Sequence, residues 1–175
     1  MDRASATSVV ALLVATFAVL TALFAVFAPQ TQTPDARTAQ TRADLRASEG
    51  ELLEHMVLFQ RYAEKTDLAA EAGNWNLAAF YADKIRDNAV LVVDGGYVLG
   101  GVDISEIAST MALDRAEALV AATEAADPSV YEAAYAQMID GCNNCHARSG
   151  YGAIVIVEPD AARYPSQRFA PLSGR

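Results

Sequence analysis

The residues best suited to chemistry sit in one pentapeptide, Cys142-Asn143-Asn144-Cys145-His146, which holds both cysteines of the 175-residue chain. Two thiols at this spacing, followed directly by an imidazole, form the attachment motif of c-type haem. The thiols become thioethers to the two vinyl groups of one macrocycle. The histidine beside the second cysteine then lies under the iron and supplies a proximal nitrogen. Two other readings of the pentapeptide are weaker. A thioredoxin-like dithiol needs a strand–helix context that the sequence lacks. A structural zinc site needs four ligands, and only His55, on another helix, could be added. The sequence therefore points to one covalent haem c, with Cys142, Cys145 and His146 as cofactor-binding residues and His146 as iron ligand.

The sixth coordination position turns on Met56. At 100° per residue, Leu52, Leu53, Phe59, Gln60 and Ala63 fall within about 60° of Met56, so it lies near the centre of an inward helical stripe. Thioether ligation would raise the reduction potential of the iron. Met56 as a space-filling core residue, His55 as the ligand from the rim, and an open or water-filled site are the alternatives. Arg148, Lys84 and Arg86 are the cations considered for the haem propionates, although a solvated surface role suits each of them better. Tyr135 and Met138 precede His146 by two to three turns and should pack on the ring or the core.

The elements that must position these residues read as helices. The first opens at the capping box Ser48-x-x-Glu51 and runs to about Ala72 before Gly73. The second starts from Asn74 as N-cap, carries Trp75, Ala78, Ala79, Ala82, Ile85 and Ala89, and stops at Gly95-Gly96. The third opens at Asp103-x-x-Glu106 and runs to about Ala125 with Ile107, Met111, Ala118 and Leu119. The fourth has Asp127 before Pro128 at the first helical position, then Val130, Ala134, Met138 and the cysteine motif, ending near Gly150. Short connections make neighbours antiparallel. The fold class expected is all-α: an N-terminal transmembrane helix, then a four-helix bundle with an extended C-terminal tail. The divisions are 1–28 anchor, 29–47 linker, 48–150 haem domain and 151–175 tail. Ile154-Val155-Ile156-Val157 is too apolar for a free tail. It should cover the haem edge, cover the end of the bundle, or dock a partner.

The hydrophobic fraction is 53%, and the excess over an ordinary soluble domain is not spread evenly: in Val9 to Ala28 only Thr16 and Thr21 are not apolar. A run of about 20 residues spans a bilayer and exceeds a signal-peptide core. This makes an uncleaved single-pass anchor the leading reading. Haem of this type is attached outside the cytoplasm, which places the N-terminus inside and the bundle in the periplasm at a bacterial inner membrane. The formal charge is −9, and an acidic domain cannot hold nucleic acid by phosphate neutralisation.

A bundle whose last helix ends in Cys-x-x-Cys-His resembles the cytochrome c′ superfamily. Over about residues 48 to 170 the chain looks closer to exported single-haem cytochromes with related bundles. The matching features are Glu54-x-Met56-x-x-x-Gln60, Asn74-Trp75-x-Leu77-Ala78-Ala79, Cys142-Asn143-x-Cys145-His146 and Ser166-Gln167-x-Phe169. The resemblance implies His146 as proximal ligand and a first-helix residue over the distal face. Cytochromes c′ proper often have five-coordinate iron that binds small gases. Met56 in the matching region departs from that pattern, as do the anchor and the long tail. The function expected is electron transfer rather than enzymatic turnover, with no small-molecule substrate. The partners expected are redox proteins, and the chain would serve as a subunit of a respiratory or photosynthetic membrane complex. The alternatives are a module binding NO or CO, or a mainly structural haem-bearing subunit.

Overall fold

A computed structural model describes residues 34–159 and 164–172. The apolar run Val9 to Ala28 lies outside them, as does the start of the linker. No helix among the described residues is long and apolar enough to cross a membrane. The chain divides into two compact units, 1–43 and 44–175, and the second carries the motif.

The described chain is mainly helical. α1 spans Pro34–Glu71 and α2 spans Trp75–Asp94. A two-stranded antiparallel hairpin follows, β1 (Val98–Leu99) and β2 (Val102–Asp103), with Val98 opposite Asp103. Then come α3 (Ile104–Ala108), a π-helical turn (Ser109–Leu113), α4 (Asp114–Ala125) and α5 (Pro128–Arg148).

Three features differ from the sequence expectation, one being that the single helix expected from Asp103 to about Ala125 is interrupted by the π-helical turn Ser109–Leu113. α1 begins at Pro34 instead of Ser48, so most of the expected linker is helix. Ala39, Arg42, Leu45 and Arg46 are good helix formers, and Pro34 occupies the first helical position, where its missing N–H costs nothing. Ser48 therefore sits inside the helix, where its neighbours' amides already have partners. The hairpin is the third difference. Gly100 and Gly101 both take positive φ, +58° and +84°, the conformation of a type I′ two-residue turn.

The capping chemistry behaves as the residues dictate. α1 ends in a Schellman motif: Gly73, at φ +68°, donates to the Ala70 carbonyl at 2.9 Å, and Asn74 donates to Ala69 at 2.8 Å. Asn74 then caps α2 through Oδ1, accepting from the Leu77 amide at 3.3 Å. Asp103 and Asp127 cap α3 and α5.

One core joins the four helical runs. α1 contributes Leu52, Phe59, Ala63 and Ala70, and α2 contributes Ala78, Ala82, Ile85, Ala89 and Val92. Leu119 comes from α4, and Tyr131, Tyr135, Met138 and Ile139 come from α5. The alanines of α2 let its neighbours approach closely. Tyr131 stacks on Tyr135 and meets Trp75 edge-on, with centroids 5.6 and 5.8 Å apart.

The end of the chain returns to the α1–α2 corner. Phe169 is buried, and its carbonyl accepts from Asn74 Nδ2 at 2.8 Å. Gln167 Oε1 accepts from Lys65 Nζ at 2.9 Å, and that ammonium lies over the rings of Tyr81 and Tyr164. Asn74 thus serves a helix start and the tail at once. Asn74→Ala is expected to cost about 1–2 kcal/mol, one cap plus one hydrogen bond. Urea unfolding measures the loss, and limited proteolysis after residue 159 should accelerate.

Candidate haem-attachment site

α5 carries the pentapeptide in its last two turns. The face that bears it is set by Tyr131, Tyr135 and Met138, each less than 5% exposed. Tyr135 Oη donates to the Ala63 carbonyl at 3.2 Å, and Tyr131 Oη donates to Asp67 Oδ1 at 3.0 Å. These two bonds fix α5 antiparallel to α1, each four-residue step along one matching four along the other. Carried further at equal rise, the register brings Met56 level with Cys142 and Leu52 level with His146. Met56 is half-buried and packs against the core. On this register Met56 stands at the height of the motif.

Both thiols are free and half-buried. Burial pushes the Cys142 thiol up to about 11, with Cys145 beside it adding to the rise. Burial also raises Cys145, against the opposing pull of the Arg148 guanidinium. A nucleophilic dithiol needs a depressed thiol pKa, and this pair has the opposite. Among the described residues no group of three or more His, Cys, Asp or Glu side chains converges to hold a metal ion by itself.

His146 is oriented by the chain that follows it. Gly150, at φ +85°, reverses the backbone, and Tyr151 donates to the His146 carbonyl at 2.7 Å. The returning segment places the Ile154 carbonyl 2.9 Å from His146 Nδ1. A carbonyl only accepts, so Nδ1 is the donor in this bond, and in the neutral imidazole that arrangement leaves the lone pair on Nε2. Next to it, Asn143 Nδ2 donates to the Ile156 carbonyl at 2.9 Å, and its Oδ1 accepts from the Ile156 amide at 2.8 Å. Ile154, Val155 and Val157 are exposed and Ile156 is half-buried. The tail therefore meets the motif through its backbone, where sequence reasoning had considered its apolar side chains.

The remaining candidates separate clearly. His55 faces α2: its Nδ1 is 2.7 Å from Asn88 Oδ1, Asn88 Nδ2 donates to the His55 carbonyl at 2.9 Å, and its ring meets Tyr97. Lys84 pairs with Asp87 and Arg86 with Asp83, at 2.7 and 2.9 Å on one exposed helix face. Arg148 is exposed. Tyr135 and Met138 belong to the core.

The residues on α5 are of the kind a c-type haem would use: two unbonded thiols that present no activated thiolate, and an imidazole whose Nδ1 is already engaged by a carbonyl. No protein-family model, no curated protein and no solved structure matches this chain.

Proposed function

We propose that this protein is a membrane-anchored, single-haem c-type cytochrome of the cytochrome c′-like bundle kind, carrying electrons on the periplasmic side of a bacterial inner membrane. Bound haem supplies a one-electron ferric/ferrous couple there. The chain's own part is to hold and tune it. Cys142 and Cys145 provide the two thioether anchors, and His146 presents Nε2 as proximal ligand. The Ile154 carbonyl accepts the Nδ1 proton and strengthens the imidazole as a donor. Met56, level with the motif on α1, is the sixth ligand in this reading and raises the potential. Val9 to Ala28 tethers the domain and concentrates it near a membrane-bound redox partner.

The observation that carries the reading is the hydrogen bond from His146 Nδ1 to Ile154 beside two free thiols. A metal-ligating histidine normally has its second nitrogen satisfied in this way, whereas a surface histidine has no need of it. The test is spectroscopic. Full-chain protein made in a host that attaches haem should give a pyridine haemochrome spectrum of the thioether type, lost in Cys142→Ala/Cys145→Ala. A methionine–iron charge-transfer band should be present in the ferric protein and absent in Met56→Ala. A haem-free product overturns the proposal. A high-spin ferrous protein that takes up CO overturns the Met56 assignment and moves the function to gas binding.

A further inference from the structure

We propose that Asn143, an unspecified position of the attachment motif, is a positioning residue for His146. Its side-chain amide grips Ile156 by both backbone groups, at 2.9 and 2.8 Å. The bracketed residue lies two positions after Ile154, whose carbonyl takes the His146 Nδ1 proton. Through that clasp Asn143 fixes the histidine tautomer. The inference rests on the c-type reading for its functional meaning.

Little else holds this stretch in place. Residues 153–157 belong to no helix or strand. Three of the four side chains from Ile154 to Val157 are exposed, and Ile156 alone is half-buried against the core, so burial places Ile156 but contributes little to placing Ile154. The turn bond from the Ile154 amide to the Tyr151 carbonyl, at 2.8 Å, shapes the segment without attaching it to α5. Polar attachment to α5 comes from the Tyr151 amide at the turn, from the Asn143 pair and from the His146 bond itself. The pair needs one donor and one acceptor on a short planar group, which is an asparagine amide. Aspartate would keep the bond from the Ile156 amide and turn a carboxylate oxygen against the Ile156 carbonyl. Alanine removes both bonds. Without the clasp, the Ile154 carbonyl loses the polar anchor on α5 that lies nearest to it beyond the turn.

The test reads the tautomer directly. In uniformly ¹⁵N-labelled full-chain protein, above the pH at which imidazole titrates, long-range ¹H–¹⁵N correlations distinguish Nδ1–H from Nε2–H. Haem-free wild type should show His146 as the Nδ1–H form. Asn143→Ala should shift it toward the Nε2–H form that free imidazole favours, and Asn143→Asp should fall between. His55, held by Asn88 on α2, should not change and reports an intact fold. Asn144→Ala, which removes only an exposed bond to the Asp140 carbonyl, should leave His146 unchanged. In haem-loaded protein, Asn143→Ala should raise the midpoint potential, because a weaker imidazole donor stabilises ferric iron less. An unaltered Nδ1–H tautomer in Asn143→Ala, or an equal shift in Asn144→Ala, overturns the inference. Failure to load haem would overturn the proposed function alone, since the tautomer is read without it.

Discussion

Gly141→Ala should lower thermal stability by about 4–8 °C, the shift that roughly 2 kcal/mol produces in a chain of this size. Gly141 immediately precedes Cys142 in the interior of α5, where glycine normally costs about 1 kcal/mol relative to alanine. An ordinary reading would therefore expect alanine to stabilise. Across from it, however, lies the π-helical turn Ser109–Leu113. A Cβ at position 141 would overlap the Met111 carbonyl oxygen and come within 2.7 Å of Arg115 Cδ. A flexible side chain can move aside, but a backbone carbonyl inside a helical turn cannot without disturbing its hydrogen bonds. Overpacking of this kind costs about 1–3 kcal/mol, and the upper end applies when backbone must shift. Set against the propensity gain, the balance is loss. Arg115 adds to it, because its Nε is already buried without a partner and displacement would have to strip or resettle the rest of the guanidinium. Circular dichroism melts of wild type and Gly141→Ala measure the effect. A variant as stable as wild type would mean that the π turn relaxes at no cost.

The same contact shows why part of the fold was legible in the sequence and part was not. Helix ends were legible because their signals are local. Asn74, Asp103 and Asp127 each cap the helix that follows, and Gly73, Gly96 and Gly150 take the left-handed conformation after the helices they end. The pentapeptide was legible for the same reason, since spacing and residue type define it. The π turn is a tertiary matter. Its extra residue per turn rotates the helix, so the buried face passes from Ile104 and Ala108 to Ala116, Leu119 and Val120, and Ala118 is exposed where a regular period over 103–125 had placed it inward. Nothing in Ser-Thr-Met-Ala-Leu announces this; the fit against Gly141 does. The start of α1 was misplaced because a capping box was read as a boundary in a stretch whose other residues favour helix. The hairpin at Gly100-Gly101 carried its own signal, two glycines between Val-Leu and Val, and the strands of two residues were too short for periodicity to register. In the site, the thiols and the imidazole were readable, and the tail's backbone contacts were not. A carbonyl eight residues downstream of His146 has no side-chain signature.

Asp67→Asn should remove most of the dependence of stability on pH between about 4 and 6 and make the protein more stable at pH 7. Asp67 is 8% exposed on α1. Burial raises its carboxyl from 3.8 to about 6; the hydrogen bond from Tyr131 opposes the rise, and Glu71 and Glu158 add to it. Because the folded value lies above the unfolded one, the folded chain binds more protons in that interval. Stability is therefore fully present below pH 4 and falls as pH climbs through the folded value. A rise from 3.8 to about 6 corresponds to roughly 3 kcal/mol against the ionised folded state, taken as an upper bound. Asparagine keeps an oxygen to accept from Tyr131 Oη and cannot ionise. It must find a partner for its new amide hydrogens, which lowers the gain at pH 7 to about 1–3 kcal/mol. At pH 4, where Asp67 is largely protonated, the two proteins should differ far less. Tyr131→Phe removes the one contact that favours the ionised form, so it should move the Asp67 titration above 6. Urea midpoints at half-unit intervals from pH 4 to 7 resolve all three curves. Parallel curves for wild type and Asp67→Asn would show that Asp67 does not carry the dependence.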